Sequence, residues 1–242
     1  MSCPYKYKEI ITMCGRYTIT VEEEILFARF KIRENGGQHL PRYNVAPTQK
    51  NPVVLVNEKS QRIMTQMKWG LIPSWAKEES IGNKMINARM ETITQKPSFK
   101  TAFLKRRCLV PADGYYEWSK TGTSKKKQPY RIVLKSRELF AFAGLWDVWR
   151  NTEEEKIKSY TIITTAADDL VNRIHPRMPL ILRPENEDKW IDPSNTDLES
   201  LRRLLQPYPS DLTEMYQVSP QVGRANVDEK ELILPVSRQF SL

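Results

Sequence analysis

Few side chains in this sequence can do covalent or proton-transfer chemistry, and their immediate neighbours narrow what that chemistry is. Cys14 stands in Met13-Cys14-Gly15-Arg16, a second methionine directly before a cysteine. A start at Met13 followed by methionine removal, or cleavage of the residues before Cys14, leaves that cysteine with a free α-amine. Such an amine titrates near about 7.7 to 8.0, against about 10.4 for lysine, so an appreciable fraction is neutral and nucleophilic at physiological pH. An N-terminal cysteine then carries two nucleophiles on one residue. With an aldehyde the amine forms an imine, and the thiol adds to the same carbon and closes a five-membered thiazolidine, the second step being intramolecular. A small buried thiol at the start of a strand explains this tetrapeptide equally well.

Three further places carry titratable or hydrogen-bonding groups. His175 lies in Ile174-His175-Pro176-Arg177-Met178-Pro179, where two prolines fix the backbone around an imidazole suited to general acid or base work; a surface loop histidine is the plainer alternative. Glu117 sits among Tyr115, Tyr116 and Trp118, and packing against rings raises a carboxyl toward proton donation, although a polar residue between aromatics is also ordinary strand alternation. Asn87 and Arg89 are two apart and share one face if extended, an amide for a sugar oxygen or imine and a guanidinium for a phosphate. Tryptophans and arginines are interleaved, Trp69 and Trp75 with Arg16, Arg89 and Arg177, which is how a single-strand groove combines stacking with charge. For any single tryptophan a core position is the commoner reason.

Composition limits the partners. The 242 residues are 40% hydrophobic, enough for a real core, and 38 Lys plus Arg against 29 acidic residues leave a net charge of +9, which favours polyanions through nonspecific attraction. Three scattered cysteines and two histidines, His39 and His175, match neither a disulfide framework nor a zinc knuckle, so neither metal nor cofactor is expected. His39, after Gly36-Gly37-Gln38, reads as loop filler. Apolar runs are too short for a membrane span and the first dozen residues lack a secretory core. A cytoplasmic chain is expected, with no membrane association.

The elements that must position these groups are mostly strands. Segments 52–56, 62–69, 107–111, 130–135, 139–146 and 159–165 are rich in β-branched and aromatic residues. Residues 21–34 suit an early amphipathic helix, and helical patterns return at 166–174 and 197–205. Strands follow strands with few helices between, which excludes a doubly wound parallel sheet and predicts an α+β class. Nothing marks a domain boundary. Residues 119–128, with Gly122 and consecutive lysines, read as an exposed hairpin loop.

Taken together and in order, Met13-Cys14-Gly15-Arg16-Tyr17, Tyr43-Asn44-Val45-Ala46-Pro47-Thr48, Trp69-Gly70-Leu71-Ile72-Pro73, Asn87-Ala88-Arg89, Tyr116-Glu117-Trp118, Phe142-Ala143-Gly144-Leu145-Trp146, Thr161-Ile162-Ile163-Thr164-Thr165 and His175-Pro176-Arg177-Met178-Pro179 closely resemble the SOS-response-associated peptidase (SRAP) family. The resemblance runs from Met13 to about Ser219. It implies a mixed α+β fold with a compact β-barrel-like core, and abasic-site processing in the DNA damage response. It further implies that Cys14 is the nucleophile that crosslinks to a ring-opened abasic sugar in single-stranded DNA, and that Asn87, Glu117 and His175 complete the site. Arg16, Trp69, Arg89 and Arg177 match positions that hold the DNA, and Pro47 lies in the loop that shapes the groove; Trp75 joins them on its stacking chemistry.

Family members usually begin at the Met-Cys pair, whereas here residues 1–12 come first. The expected organisation is therefore a leader, 1–12, that is removed or not translated, and a single domain from 13 to 242. With the leader attached the Cys14 nitrogen is an amide and forms no imine. Self-removal of leading residues and an AP-lyase side reaction are expected accompaniments, and a monomer is expected, associated with the nucleoid while on DNA. Two rivals share parts of this pattern. An N-terminal-nucleophile cysteine amide hydrolase needs Cys14 but not the arginines and tryptophans. A non-catalytic single-strand binder needs the groove but not Cys14.

Overall fold

The computed structural model describes residues 15–119 and 127–236, so Cys14, the leader and most of the lysine-rich hairpin tip lie outside the described residues. In chain order the first elements are β1 (Arg16–Ile19), α1 (Glu23–Phe30), β2 (Glu34–Gly36), β3 (Arg42–Val45), β4 (Lys50–Val56), β5 (Arg62–Trp69), β6 (Asn87–Arg89), α2 (Pro97–Lys105) and β7 (Arg107–Ala112). There follow β8 (Gly114–Ser119), β9 (Gln128–Leu134), β10 (Phe140–Arg150), β11 (Lys156–Ala166), β12 (Arg177–Pro179), β13 (Ile181–Leu182), α3 (Pro184–Ile191), α4 (Leu198–Leu204) and β14 (Thr213–Gln217). The class is α+β, as the strand-after-strand pattern requires.

Two sheets make the frame. In one the order is β14-β9-β8-β1-β3, and in the other β12-β11-β10-β7-β4-β5-β2. The second sheet closes on itself, because β5 also pairs with β11 in parallel, Ser159 with Lys68 and Tyr160 with Trp69. β11, β10, β7, β4 and β5 therefore form a closed ring, the compact barrel-like core, with β2, β6, β12 and β13 attached to its rim. Closure removes free edges and forces side chains inward in alternation. Tyr17, Trp69, Phe142 and Tyr160 meet as an aromatic cluster, Trp69 stacked on Tyr160 at 6.3 Å and Tyr17 edge-on to Trp69 at 5.1 Å. The Tyr17 and Tyr160 hydroxyls hydrogen-bond at 2.7 Å, satisfying two polar groups that the apolar interior would otherwise penalise.

Helix starts follow from local chemistry. Pro97 and Pro184 open α2 and α3 at positions where a missing N–H costs nothing, and Asp197 caps α4 by accepting from the Ser200 N–H at 2.8 Å. The buried Arg107 guanidinium donates to the carbonyls of Phe103, Leu104, Trp190, Asp192 and Asn195, which ties α2 and α3 to β7, and burial pulls its pKa down to about 10. Gly70 turns the chain out of β5 at φ 125, a left-handed angle that suits glycine, and a Cβ there would stand 2.6 Å from the Gly82 carbonyl. That close approach folds the 70–86 segment back so that β6 can join β11.

Two helix expectations are corrected. Residues 166–174 are not a helix: β11 runs through Ala166, and only one turn, Val171–Arg173, follows, closed by the Asp168 carboxylate accepting from the Val171 N–H at 2.8 Å. Pro176 and the need to return β12 alongside β11 stop it there. The early helix is shorter than 21–34, ending at Lys31 in left-handed geometry because Glu34–Gly36 is taken by pairing with β5. His39 is corrected from filler to a buried residue whose Nε2 lies 3.0 Å from the Val21 carbonyl, and burial lowers its pKa. No helix among the described residues is long and apolar enough to cross a membrane.

Candidate functional site

The predicted site residues among those described come from five strands, β1, β5, β6, β8 and β12, and from the connections that hold Pro47, Trp75 and His175. β1 pairs with β8 in the register Arg16 with Tyr116 and Tyr17 with Tyr115. Carried one residue further toward the N-terminus, that antiparallel register sets Gly15 level with Glu117. Glu117 is 1% exposed, and His175, in the loop leading into β12, is 3% exposed. Glu117 lies on one sheet and His175 in the loop that enters the other, yet His175 Nδ1 lies 3.7 Å from Glu117 Oε1. Nδ1 is also 2.9 Å from the Arg177 carbonyl oxygen and 3.2 Å from the Arg177 N–H, so the backbone of Arg177 holds the Nδ1 edge of the ring in either tautomer.

Asn87 opens β6, in parallel register with Ile162 of β11. Ala88 is wholly buried while Asn87 is half-buried and Arg89 exposed, so the amide and guanidinium share the outer face that the spacing predicted. The strand is held from beneath by Trp69, whose indole N–H donates to the Ile86 carbonyl at 2.8 Å. Trp69 is 0% exposed, which corrects the expectation that its ring stacks on a base: the ring's faces are spent on Tyr17 and Tyr160.

The other residues expected at DNA divide the same way. Trp75 is 58% exposed, a large apolar ring in the turn after Pro73, and Pro47 is half-buried in the turn from β3 to β4. The Arg16 guanidinium is committed internally, donating to Asn44 Oδ1 and the Val222 carbonyl at 2.9 Å and to the Gly223 carbonyl at 3.1 Å, and burial lowers its pKa. Arg177 also is engaged, its fork meeting both Glu91 oxygens at 2.5 and 3.0 Å and the Thr164 carbonyl at 2.7 Å. Both guanidiniums are thus engaged within the chain. Arg89 remains as an exposed cation on the outer face.

Sequence reasoning missed the groups that brace the site. Asp113 receives Arg131 Nη2 at 2.9 Å and the Thr20 N–H at 2.7 Å, and bonds the Thr18 hydroxyl, which fastens β1 to β8 and β9. Asp228 accepts the N–H groups of Tyr43 and Asn44 at 2.6 and 2.7 Å, while Asn44 donates to the carbonyls of Arg224 and Val227, so the chain's last described segment clamps β1 and β3. Only Glu91 had a usable signal, continuing the alternation Asn87, Arg89, Glu91. Among the described residues no group of three or more His, Cys, Asp or Glu stands together as a metal site.

The family model described as SOS response associated peptidase (SRAP) matches residues 13–225. The chain belongs to the SRAP family. Among SRAP relatives, abasic site processing protein YoqW of Bacillus subtilis is 47% identical over 91% of this chain and 99% of its own. Abasic site processing protein HMCES of Rattus norvegicus is 30% identical, covering 92% of this chain and 76% of its own. A crystal structure of a protein from Bacteroides thetaiotaomicron superposes with a TM-score of 0.83 at 27% identity, covering 92% of this chain and 99% of that one. This SRAP chain thus shares both the family's sequence and a fold already seen in crystals.

Proposed function

We propose that this protein processes abasic sites by forming a covalent thiazolidine between Cys14, once it is the first residue, and the ring-opened sugar of an abasic site in single-stranded DNA. The observation that carries the reading is the junction of two sheets at Glu117 and His175, two buried titratable groups 3.7 Å apart beside the strand that leads directly into Gly15 and Cys14. One peptide bond joins Cys14 to Gly15, so their Cα atoms are about 3.8 Å apart. Burying an acid and a base at a sheet junction is costly without a use for them. Relatives named as abasic site processing proteins support the same substrate.

The chemistry follows from the groups present. The neutral Cys14 amine attacks C1' of the open-chain aldehyde, Glu117 taking the ammonium proton. His175 moves protons at the sugar oxygen as the ring opens and as water leaves the carbinolamine. Asn87 holds the sugar or the resulting imine by hydrogen bonding. The thiol sulfur then adds to the imine carbon, the nitrogen takes up the proton, and the five-membered ring closes. An imine at C1' acidifies the C2' protons, so strand cleavage by β-elimination is a slower side reaction of the same intermediate. All of this requires residues 1–13 to be absent, by self-processing or by initiation at Met13. Arg89 and Trp75 contact the backbone and bases of the strand.

The test uses the full chain purified without an N-terminal tag, its start read by intact mass, and an abasic oligonucleotide resolved on a denaturing gel. The chain that begins at Cys14 forms a heat-stable adduct, whereas Cys14→Ala and Cys14→Ser keep the amine but lose the thiol and form only a borohydride-trappable imine. A heat-stable adduct at full yield from Cys14→Ala would sink the proposal.

A further inference from the structure

Glu91 lies just beyond β6, in the turn Met90–Thr92, and is the carboxylate that engages Arg177 through both oxygens. β6 and β12 flank β11 on opposite sides at its end, Arg89 level with Thr164 and Arg177 level with Ala166. The Glu91–Arg177 pair therefore spans the end of β11 and ties the segment that carries Asn87 to the segment that carries His175. Arg177 adds a bond to the Thr164 carbonyl at 2.7 Å, so its guanidinium is held on two elements. Its backbone meets His175 Nδ1 twice, the carbonyl at 2.9 Å and the N–H at 3.2 Å. We infer that Glu91 is a positioning residue for His175: by fixing Arg177 it fixes the backbone carbonyl and N–H that hold the Nδ1 edge of the imidazole and so set the ring's aim.

A side chain that orients an imidazole through an intermediate group controls its tautomer and its aim without touching substrate. Glu91 is thus a brace between two site segments.

The inference rests on the crosslinking reading for its activity arm, and a second arm is independent of it. In the activity arm, Glu91→Ala and Glu91→Gln are compared with the parent chain for the maximal rate of adduct formation and for the DNA concentration giving half that rate. Glu91→Ala is expected to lower the maximal rate about tenfold, with the half-saturating concentration within about twofold, and Glu91→Gln to recover part of the rate because an amide still accepts from Arg177. In the independent arm, nitrogen-15 spectra of His175 are expected to report one predominant tautomer in the parent chain and a mixture of tautomers in Glu91→Ala. An unchanged rate together with an unchanged imidazole spectrum overturns the inference, and so does tighter DNA binding with a faster rate, which would make Glu91 a plug over a phosphate site. Absence of any adduct from a parent chain that begins at Cys14 counts against the crosslinking reading, and the spectra then decide the inference alone.

Discussion

Around the closed ring, β4, β5, β7, β10 and β11 bury large apolar and aromatic side chains, and buried polar groups they carry, such as Arg107, Asp147 and Ser159, are tied to backbone groups of neighbouring segments. At the seam where this ring meets the β1–β8 sheet the buried residues include four titratable or charged ones: Glu117, His175, Asp113 and Arg131 are all at most 8% exposed. The ring is stabilised by contact area and shape, which tolerate no loss of volume. The seam gathers charge, which costs desolvation and is maintained only by dense hydrogen bonding. The comparison teaches that residues alike in sequence, two tryptophans or three arginines, do different work depending on which region receives them.

Replacing one tryptophan on each side tests this division most severely. Trp69→Ala should cost about 3 to 5 kcal/mol of folding stability, read from denaturant midpoints, because it empties the stacked centre of the ring and frees the Ile86 carbonyl. A stable Trp69→Ala protein with weakened DNA binding would show instead that the ring is not core. At the seam, Asp113→Ala leaves Arg131 buried without its carboxylate, and a loss of about 3 kcal/mol is expected in the same assay, with thermal unfolding as a check. Glu117→Gln should leave unfolding nearly unchanged while slowing adduct formation on the order of 100-fold, measured in single-turnover gels. A parallel fall in stability would move Glu117 from chemistry to architecture. Trp75→Ala should leave stability within about 0.5 kcal/mol and weaken binding to undamaged single strands about tenfold by fluorescence anisotropy, since an exposed ring contributes only by stacking.

The smallest expected effect is a pH dependence at the rim. Partial burial works to raise the Glu91 carboxyl, but the hydrogen bonds and charge of Arg177 outweigh it and hold it below its ordinary 4.5. A depressed carboxyl stabilises the fold above its unfolded value, and that contribution is lost as pH falls through the folded value. Stability measured from pH 6 to pH 3 should therefore fall less steeply in Glu91→Gln than in the parent. Identical slopes would mean that the pair contributes nothing in solution.

Much of this was legible in the sequence, for identifiable reasons. β5 was read with its observed bounds, and the reading of the later long strands overlapped those observed, because β-branched and aromatic runs have no helical competitor there. α4 was legible because Asp197 caps it through a local bond. Short elements were not: β6 and β12 pair with the much longer β11 and β3 with β1, partners elsewhere in the sequence, so no local pattern announces them. The apparent helix at 166–174 failed for the same reason, since pairing of β12 with β11 outweighed its helical periodicity. Among the candidate site residues, Asn87 and Arg89 share one face as their spacing implied, whereas the burial of Trp69 and the internal partners of Arg16 and Arg177 were not legible, because residue type says nothing about which partner a side chain finds.

By itself, then, the sequence determined the α+β class, the reactive residue types and, through ordered motifs, membership of the SRAP family. Tertiary structure alone decided that β5 returns to β11 and closes a ring, and that Glu117 on one sheet and His175 in the loop that enters the other stand 3.7 Å apart. It also decided that Arg177 answers to Glu91. The physical reason is that propensity and motif act over a few residues, while ring closure and the pairing of buried charges depend on contacts between positions many tens of residues apart.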